Sequence, residues 1–335
     1  MEMRYLSDRV AGLTSLQNSL SKNGISEEVM ALAIERNPWF TPYYIKHSLS
    51  QLLPWLNKDT LLPFLKPYRE KIVERSSARV GIIMAGNLPF VGFHDVLMGV
   101  LSGNELYLSY SHQDEVLMKW LINSWKREDA MIEAHIHDTL SSEMELDFLL
   151  ATGSNNTSRY IQDTYQNMPR LVRQNRFSVA MIDDFITDEQ LNKLSKDILL
   201  YNGLGCRNVS NVIVTLDFDH KRLLKALSTY PVIHINPLFL EKLAFERVRM
   251  NMMGQEYIDA GTCLLTYATE LKSMPMGLVN VIRVKGKASL ETLLAGNVRK
   301  IQCLVNKGTE FGATQCPTIS DFADGIHTLE VLTEV

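Results

Sequence analysis

The chain has 335 residues, of which 46% are apolar and 21% charged, with 18 glycines and 11 prolines; this is the balance of a folded protein with a sizeable core, not of a disordered or collagen-like one. Its 34 Lys and Arg against 38 Asp and Glu leave a net charge of −4, so no global positive field exists to gather nucleic acid or an acidic membrane. At roughly 100–200 residues per domain the length predicts about two domains, or one large α/β unit with an appended lobe, and the absence of any run near ~20 apolar residues, or of an apolar stretch behind Met1-Glu2-Met3-Arg4-Tyr5, predicts a cytoplasmic protein without a membrane span.

Residues 1–75 read as helices cut by proline. Apolar residues at helical spacing run from Ile25 to Ile34 behind Ser26-Glu27-Glu28 until Asn37-Pro38 breaks them, and a second helix follows Thr41-Pro42 as far as Pro54. From Arg79 the texture changes. Val80 to Ala85 is a short apolar run closed by Gly86-Asn87-Leu88-Pro89, as expected of a buried parallel strand. A helix over His94 to Leu101, a strand at Glu105 to Leu108, a helix at Glu115 to Trp125 and a strand at Leu146 to Ala151 follow. The polar turn Thr152 to Thr157 then opens a helix through Ile161. Further strands at Val179–Ile182, Val212–Leu216 and Val279–Val284, with helices near Glu189–Leu200 and Leu290–Ala295, continue the alternation that marks a doubly wound parallel sheet.

Three places could carry chemistry. Cys206 follows Gly203-Leu204-Gly205 and precedes a strand. A thiol on such a turn can meet a substrate while backbone N–H groups lower its pKa, which suits a nucleophile; a buried small hydrophobe is the other reading. Thr152-Gly153-Ser154 at a strand-to-helix turn is either a phosphate cradle or an ordinary helix cap. Asn87, at the end of the first strand, either presents an amide donor at the carboxyl edge of the sheet or simply forms a turn. Neither GxGxxG nor GxxxxGK[ST] is present. The other cysteines, Cys263, Cys303 and Cys316, form no CxxC pair, and the eight histidines form no HxxxH or HExxH arrangement; no metal site and no disulfide framework are expected.

The segments Val80 to Asp95, Ala151 to Thr157 and Gly203 to Ser210, in this order, together with Gln315-Cys316-Pro317 through Ala323-Asp324-Gly325, closely resemble acyl-CoA reductases of the LuxC-like family, within the aldehyde dehydrogenase superfamily. The resemblance covers about Asn37 to Leu332. It implies an α/β, aldehyde-dehydrogenase-like fold of two doubly wound α/β domains behind a helical N-terminal segment: 1–75 helical, 76–182 binding the nicotinamide cofactor, 183–310 catalytic and carrying Cys206, and 311–335 returning to the cofactor domain or an oligomer interface. It further implies that Cys206 is the acylated thiol and Asn87 the oxyanion-hole amide, and that Ala85, Gly86, Ser109, Thr152, Gly153 and Ser154 lie beside the cofactor, with the site in a cleft between domains.

The implied activity is NADPH-dependent reduction (NADH being the other candidate) of a long-chain acyl thioester, carried by CoA or an acyl-carrier protein, to the aldehyde through a Cys206 acyl-enzyme, in a homo-oligomer. Two departures from the wider superfamily stand out. Where aldehyde oxidisers carry a glutamate base in a Glu-Leu-Gly-Gly stretch, this chain has Arg173-Gln174-Asn175-Arg176, which suits a reductase because hydrolysis would waste the acyl-enzyme. Where relatives often place a lysine near the cofactor ribose, it has Leu108-Ser109-Tyr110-Ser111. That second departure motivates an alternative, an acyltransferase or thioesterase using the same cysteine beside a decayed cofactor site. A non-catalytic scaffold is the third possibility.

Overall fold

Capping residues and prolines set the ends of the N-terminal helices. The structure, a computed structural model, describes residues 2–73, 76–141, 143–153, 161, 163–166 and 168–335. Five helices open it: α1 (Glu2–Asn23), α2 (Glu27–Arg36), α3 (Pro42–Leu52), α4 (Lys58–Leu65) and α5 (Arg69–Val73). Ser26 caps α2, its Oγ accepting from the Val29 N–H at 3.3 Å, with Glu27 and Glu28 in the positive first turn. Thr41 caps α3 at 3.1 Å from the Tyr44 N–H, and Pro42 occupies the first helical position, where its missing N–H costs nothing.

Two compact units divide the chain. The first comprises Met1–Gln174 and Thr318–Val335, the second Asn175–Pro317. In the first, β1 (Arg79–Ile83), α6 (Phe93–Leu101), β2 (Glu105–Ser109), α7 (Glu115–Glu128), β3 (Ile136–His137), β4 (Phe148–Thr152) and β5 (Arg170–Arg173) follow one another. The five strands are all parallel, in the order β3-β2-β1-β4-β5. Winding therefore runs outward from β1 through β2 to β3 and then restarts at β4. That reversal falls between β1 and β4, and sheets wound in this way bind ligands outside the carboxyl ends of the strands at such a point. Val80, Ile82, Leu106, Leu149, Leu150 and Ala151 are fully buried, as strands covered on both faces must be. The amphipathic α7 buries Leu117, Leu121, Ile122 and Trp125, and α1 and α2 pack on it, so the N-terminal helices belong to this unit's core.

The second unit holds β6 (Phe177–Ile182), α8 (Asp188–Leu199), β7 (Val209–Thr215), α9 (His220–Ser228), α10 (Pro237–Met252), β8 (Ile258–Asp259), β9 (Leu264–Tyr267), β10 (Leu278–Val284), α11 (Gly286–Ala295) and β11 (Ile301–Val305). Its sheet runs β11-β6-β7-β10-β9-β8, parallel except for the β8–β9 pair. A capping box starts α8: Thr187 Oγ1 accepts from the Gln190 N–H at 3.2 Å while Gln190 Oε1 accepts from the Thr187 N–H at 2.9 Å. The last helix, α12 (Thr328–Thr333), returns to the first unit and packs on α6, with Leu329 and Leu332 fully buried.

These boundaries correct the expected 182/183 division. The chain passes from one unit to the other at Gln174/Asn175 because β6 pairs with β7 and β11, which places it in the second sheet. The C-terminal segment divides as well: 311–317 stays with the second unit and 318–335 with the first.

Candidate active site

Cys206 stands on the turn between α8 and β7. After α8 the backbone takes three successive left-handed residues, Tyr201 (φ 55°), Asn202 (φ 57°) and Gly203 (φ 71°), of which only glycine does so without strain. Asn208, 3% exposed, plugs the turn. Its Nδ2 donates to the carbonyls of Leu200 at 2.8 Å and Asp197 at 3.1 Å, groups that a helix end leaves without an intrahelical donor, and its Oδ1 accepts from the Gly205 N–H at 2.9 Å. On the other side, Ser178 of β6 donates from Oγ to the Cys206 carbonyl at 2.9 Å and accepts from the Cys303 N–H at 3.0 Å.

A strap from the end of the unit completes this support. The buried Asp197 carboxylate accepts from the N–H groups of Gly312 (2.7 Å) and Thr314 (3.0 Å) and from Thr314 Oγ1 (2.8 Å), and Arg207 Nε donates to the Thr314 carbonyl at 2.6 Å. Burial pushes the Asp197 carboxyl above its usual range, and the Gly312 and Thr314 donors oppose that shift. Within this frame the Cys206 thiol is exposed. The others are not: Cys263 and Cys303 are buried and Cys316 half-buried. Burial pushes the Cys263 thiol up to about 12 and raises that of Cys316. Since the thiolate is the nucleophile, Cys206 is the cysteine best presented for attack.

In the first unit, Ala85, Gly86 and Asn87 follow β1, Ser109 ends β2, Thr152 ends β4 and Gly153 follows it. The parallel pairing of β1 with β2 and β4 brings all six to one carboxyl edge of the sheet. Gly86 is required there, because a Cβ would stand 2.2 Å from Ser111 Oγ. Asn87 is half-buried in a loop whose Phe90 is left-handed (φ 60°). Beside that loop lies Asp114, 2% exposed, whose carboxyl burial raises well above the usual range against the pull of the Phe90 and Val91 N–H groups. Ser154 and the start of the helix expected after Gly153 lie outside the described residues. Of the histidines, His94 is half-buried, with Nε2 2.8 Å from the Ile319 carbonyl. Among the described residues no group of three or more His, Cys, Asp or Glu could hold a metal ion, and no helix is long and apolar enough to cross a membrane.

A family model described as acyl-CoA reductase (LuxC) matches residues 44–228, more than half of the chain and including both the Asn87 loop and the Cys206 turn. The chain belongs to the LuxC acyl-CoA reductase family. That family is one of oxidoreductases, and solved aldehyde dehydrogenases share the fold of this LuxC chain. An NAD-dependent benzaldehyde dehydrogenase from Corynebacterium glutamicum matches with a TM-score of 0.66 at 12% identity, over 88% of this chain and 75% of that one. A Mycobacterium tuberculosis aldehyde dehydrogenase complexed with NAD+ matches at 0.63 and 11%, over 86% and 70%. A mutant of proline utilization A from Bradyrhizobium japonicum matches at 0.67 and 13%, over 88% of this chain but only 35% of that one. The chain thus spans about a third of the length of the proline utilization A proteins it matches. No curated protein matches it.

The supports of Cys206 carried little signal in the sequence of this LuxC-family chain. Asn208 could have been found, since an Asn side chain in a turn commonly hydrogen-bonds nearby backbone. Ser178, Asp197 and Thr314 come from separate elements, and only the tertiary fold brings them to the turn.

Proposed function

We propose that this protein reduces a long-chain acyl-CoA to the aldehyde with NADPH, through an acyl-enzyme on Cys206. The observation that carries the proposal is the contrast among the cysteines: one thiol exposed on a turn braced from both sides, against one half-buried and two buried. Attack by Cys206 Sγ on the thioester carbonyl forms the C–Sγ bond. Collapse of the tetrahedral adduct then breaks the C–S bond to CoA, which leaves as the thiol. The Asn87 amide is assigned to the oxyanion, where such a donor contributes about 3–4 kcal/mol.

The edge residues fit a nicotinamide cofactor in their chemistry: two hydroxyls, Ser109 and Thr152, and the tight Ala85-Gly86 backbone lie at the carboxyl edge beside the winding reversal of a parallel sheet. Ala85, Gly86, Ser109, Thr152 and Gly153 would hold it. Bound there, NADPH would supply the hydride that reduction of the acyl group to the aldehyde consumes. Cys206 then gives up its C–Sγ bond, regaining a proton as the aldehyde departs. Support for a nicotinamide comes from family membership and from the NAD+ in the solved Mycobacterium relative.

Intact mass after incubation with a long-chain acyl-CoA, and again after NADPH, tests the proposal. The expected result is an acyl adduct, absent in Cys206→Ala, that vanishes with NADPH as aldehyde appears. An adduct that persists in NADPH would favour a transferase, and reduction retained by Cys206→Ala would refute the nucleophile.

A further inference from the structure

Arg173, the last residue of β5, is 3% exposed, yet its guanidinium reaches three partners from three parts of the first unit. Nη1 lies 2.6 Å from both carboxylate oxygens of Asp95 in the first turn of α6, and Nη2 donates to Thr328 Oγ1 of α12 at 2.6 Å. Nη1 also donates to Thr152 Oγ1 at 3.3 Å. Thr152 and Arg173 are register partners across β4 and β5. A hydroxyl has one proton to give and two lone pairs to receive with. With Arg173 donating to one of those lone pairs, the Thr152 proton cannot point at the guanidinium and is turned away from it, to be donated elsewhere. Arginine cannot reverse this polarity, because it donates only and keeps its charge at any working pH.

We propose that Arg173 is a positioning residue for the cofactor: held by Asp95 and Thr328, it fixes the Thr152 hydroxyl as a donor to an oxygen of the bound nicotinamide dinucleotide. The inference rests on the proposed cofactor role of Thr152 and adds to it the device that orients that hydroxyl.

The test is a double-mutant cycle on the full chain, read as NADPH affinity by fluorescence titration without substrate. Thr152→Val and Arg173→Lys should each weaken binding about tenfold, the loss of one good hydrogen bond, and the double variant no more than either alone. Thr152→Ser should restore near-native affinity. Additive losses, an unaffected Arg173→Lys, or failure of the serine to rescue would overturn the proposal. Thr328→Val guards against a misfolded Arg173→Lys: it keeps the ion pair and the side-chain volume, and with a native melting temperature it should still weaken NADPH about threefold, whereas unchanged affinity would count against the proposal. Wild-type protein that neither binds NADPH nor takes an acyl group would overturn the functional reading and this inference together. Wild-type protein that binds and reduces while the cycle is additive would overturn this inference alone.

Discussion

Replacing Asn208 with alanine should damage both the stability of the second unit and the reactivity of Cys206. The side chain makes close hydrogen bonds to the Leu200 and Asp197 carbonyls and receives one from the Gly205 N–H, all at a position 3% exposed. Each buried group left without a partner costs about 1–3 kcal/mol; with partial rescue by water, a total of about 3 kcal/mol is expected, or a fall in melting temperature of roughly 6–12 °C. The same bonds hold the residue next to Cys206. With Cys206 as the proposed nucleophile, a displacement on the order of 1 Å costs about 10²-fold in rate, so acylation should slow by about that factor. Melting followed by circular dichroism, and the growth of the acyl adduct by intact mass well below the variant's melting point, would measure the two effects separately. Acylation within twofold of wild type in a folded variant would refute the bracing role assigned to Asn208, whatever the melting temperature did.

Two pH effects follow from groups of the first unit. His94 is half-buried with its Nε2–H donated to the Ile319 carbonyl, and the loss of water around the ring lowers its pKa, so the folded chain resists a proton that the unfolded chain accepts. Stability should be full above the usual histidine range and fall as pH drops below it; a His94→Leu variant should lose less on moving from pH 7.5 to 5, and an identical acid loss would count against the assignment. Asp114 behaves in the opposite sense. Its raised carboxyl pKa means that stability is greatest at low pH and declines as pH rises past the usual carboxylate range. Asp114→Asn should therefore melt higher than wild type at pH 8 and not at pH 4, and a gain equal at both would show that burial of the charge is not its source.

The legible parts of this fold were those in which one segment carries its own pattern. The run Val80 to Ala85, the Ser26 and Thr41 caps and the Gly203 to Gly205 turn each announce themselves locally, and the strand or helix stands within a few residues of the expected place. Elements that depend on partners did not. In α10, Phe239, Leu243 and Met250 are buried while Phe245, Val248 and Met252 are exposed on other faces, so apolar residues surround the helix and no clear stripe appears. The strands β3 and β8 are two residues long, too short for any periodicity. At the site, the cysteine and the glycines were visible in sequence, but the brace was not. Ser178 lies 28 residues from Cys206 and Thr314 lies 107 from Arg207, and nothing local links them.

The segment Arg173 to Arg176 bears on what happens to the acyl group when no cofactor is present. Hydrolysis of a thioester needs a water activated by a nearby base. The segment that the resemblance sets against the glutamate of aldehyde oxidisers carries no carboxylate, and the Arg173 guanidinium there donates to Asp95 at 2.6 Å in a buried pair. Removing either partner of such a pair costs about 3–5 kcal/mol, so the position is held firmly as it stands. The Cys206 acyl adduct should therefore outlast the reductive turnover by at least about 10²-fold when NADPH is withheld, that being the lower end of what a positioned general base contributes. Following the adduct by intact mass and the free fatty acid by chromatography would measure this directly. Release of fatty acid at a rate near that of aldehyde formation would mean that some other group activates water at the thioester, and would favour a thioesterase over the reductase.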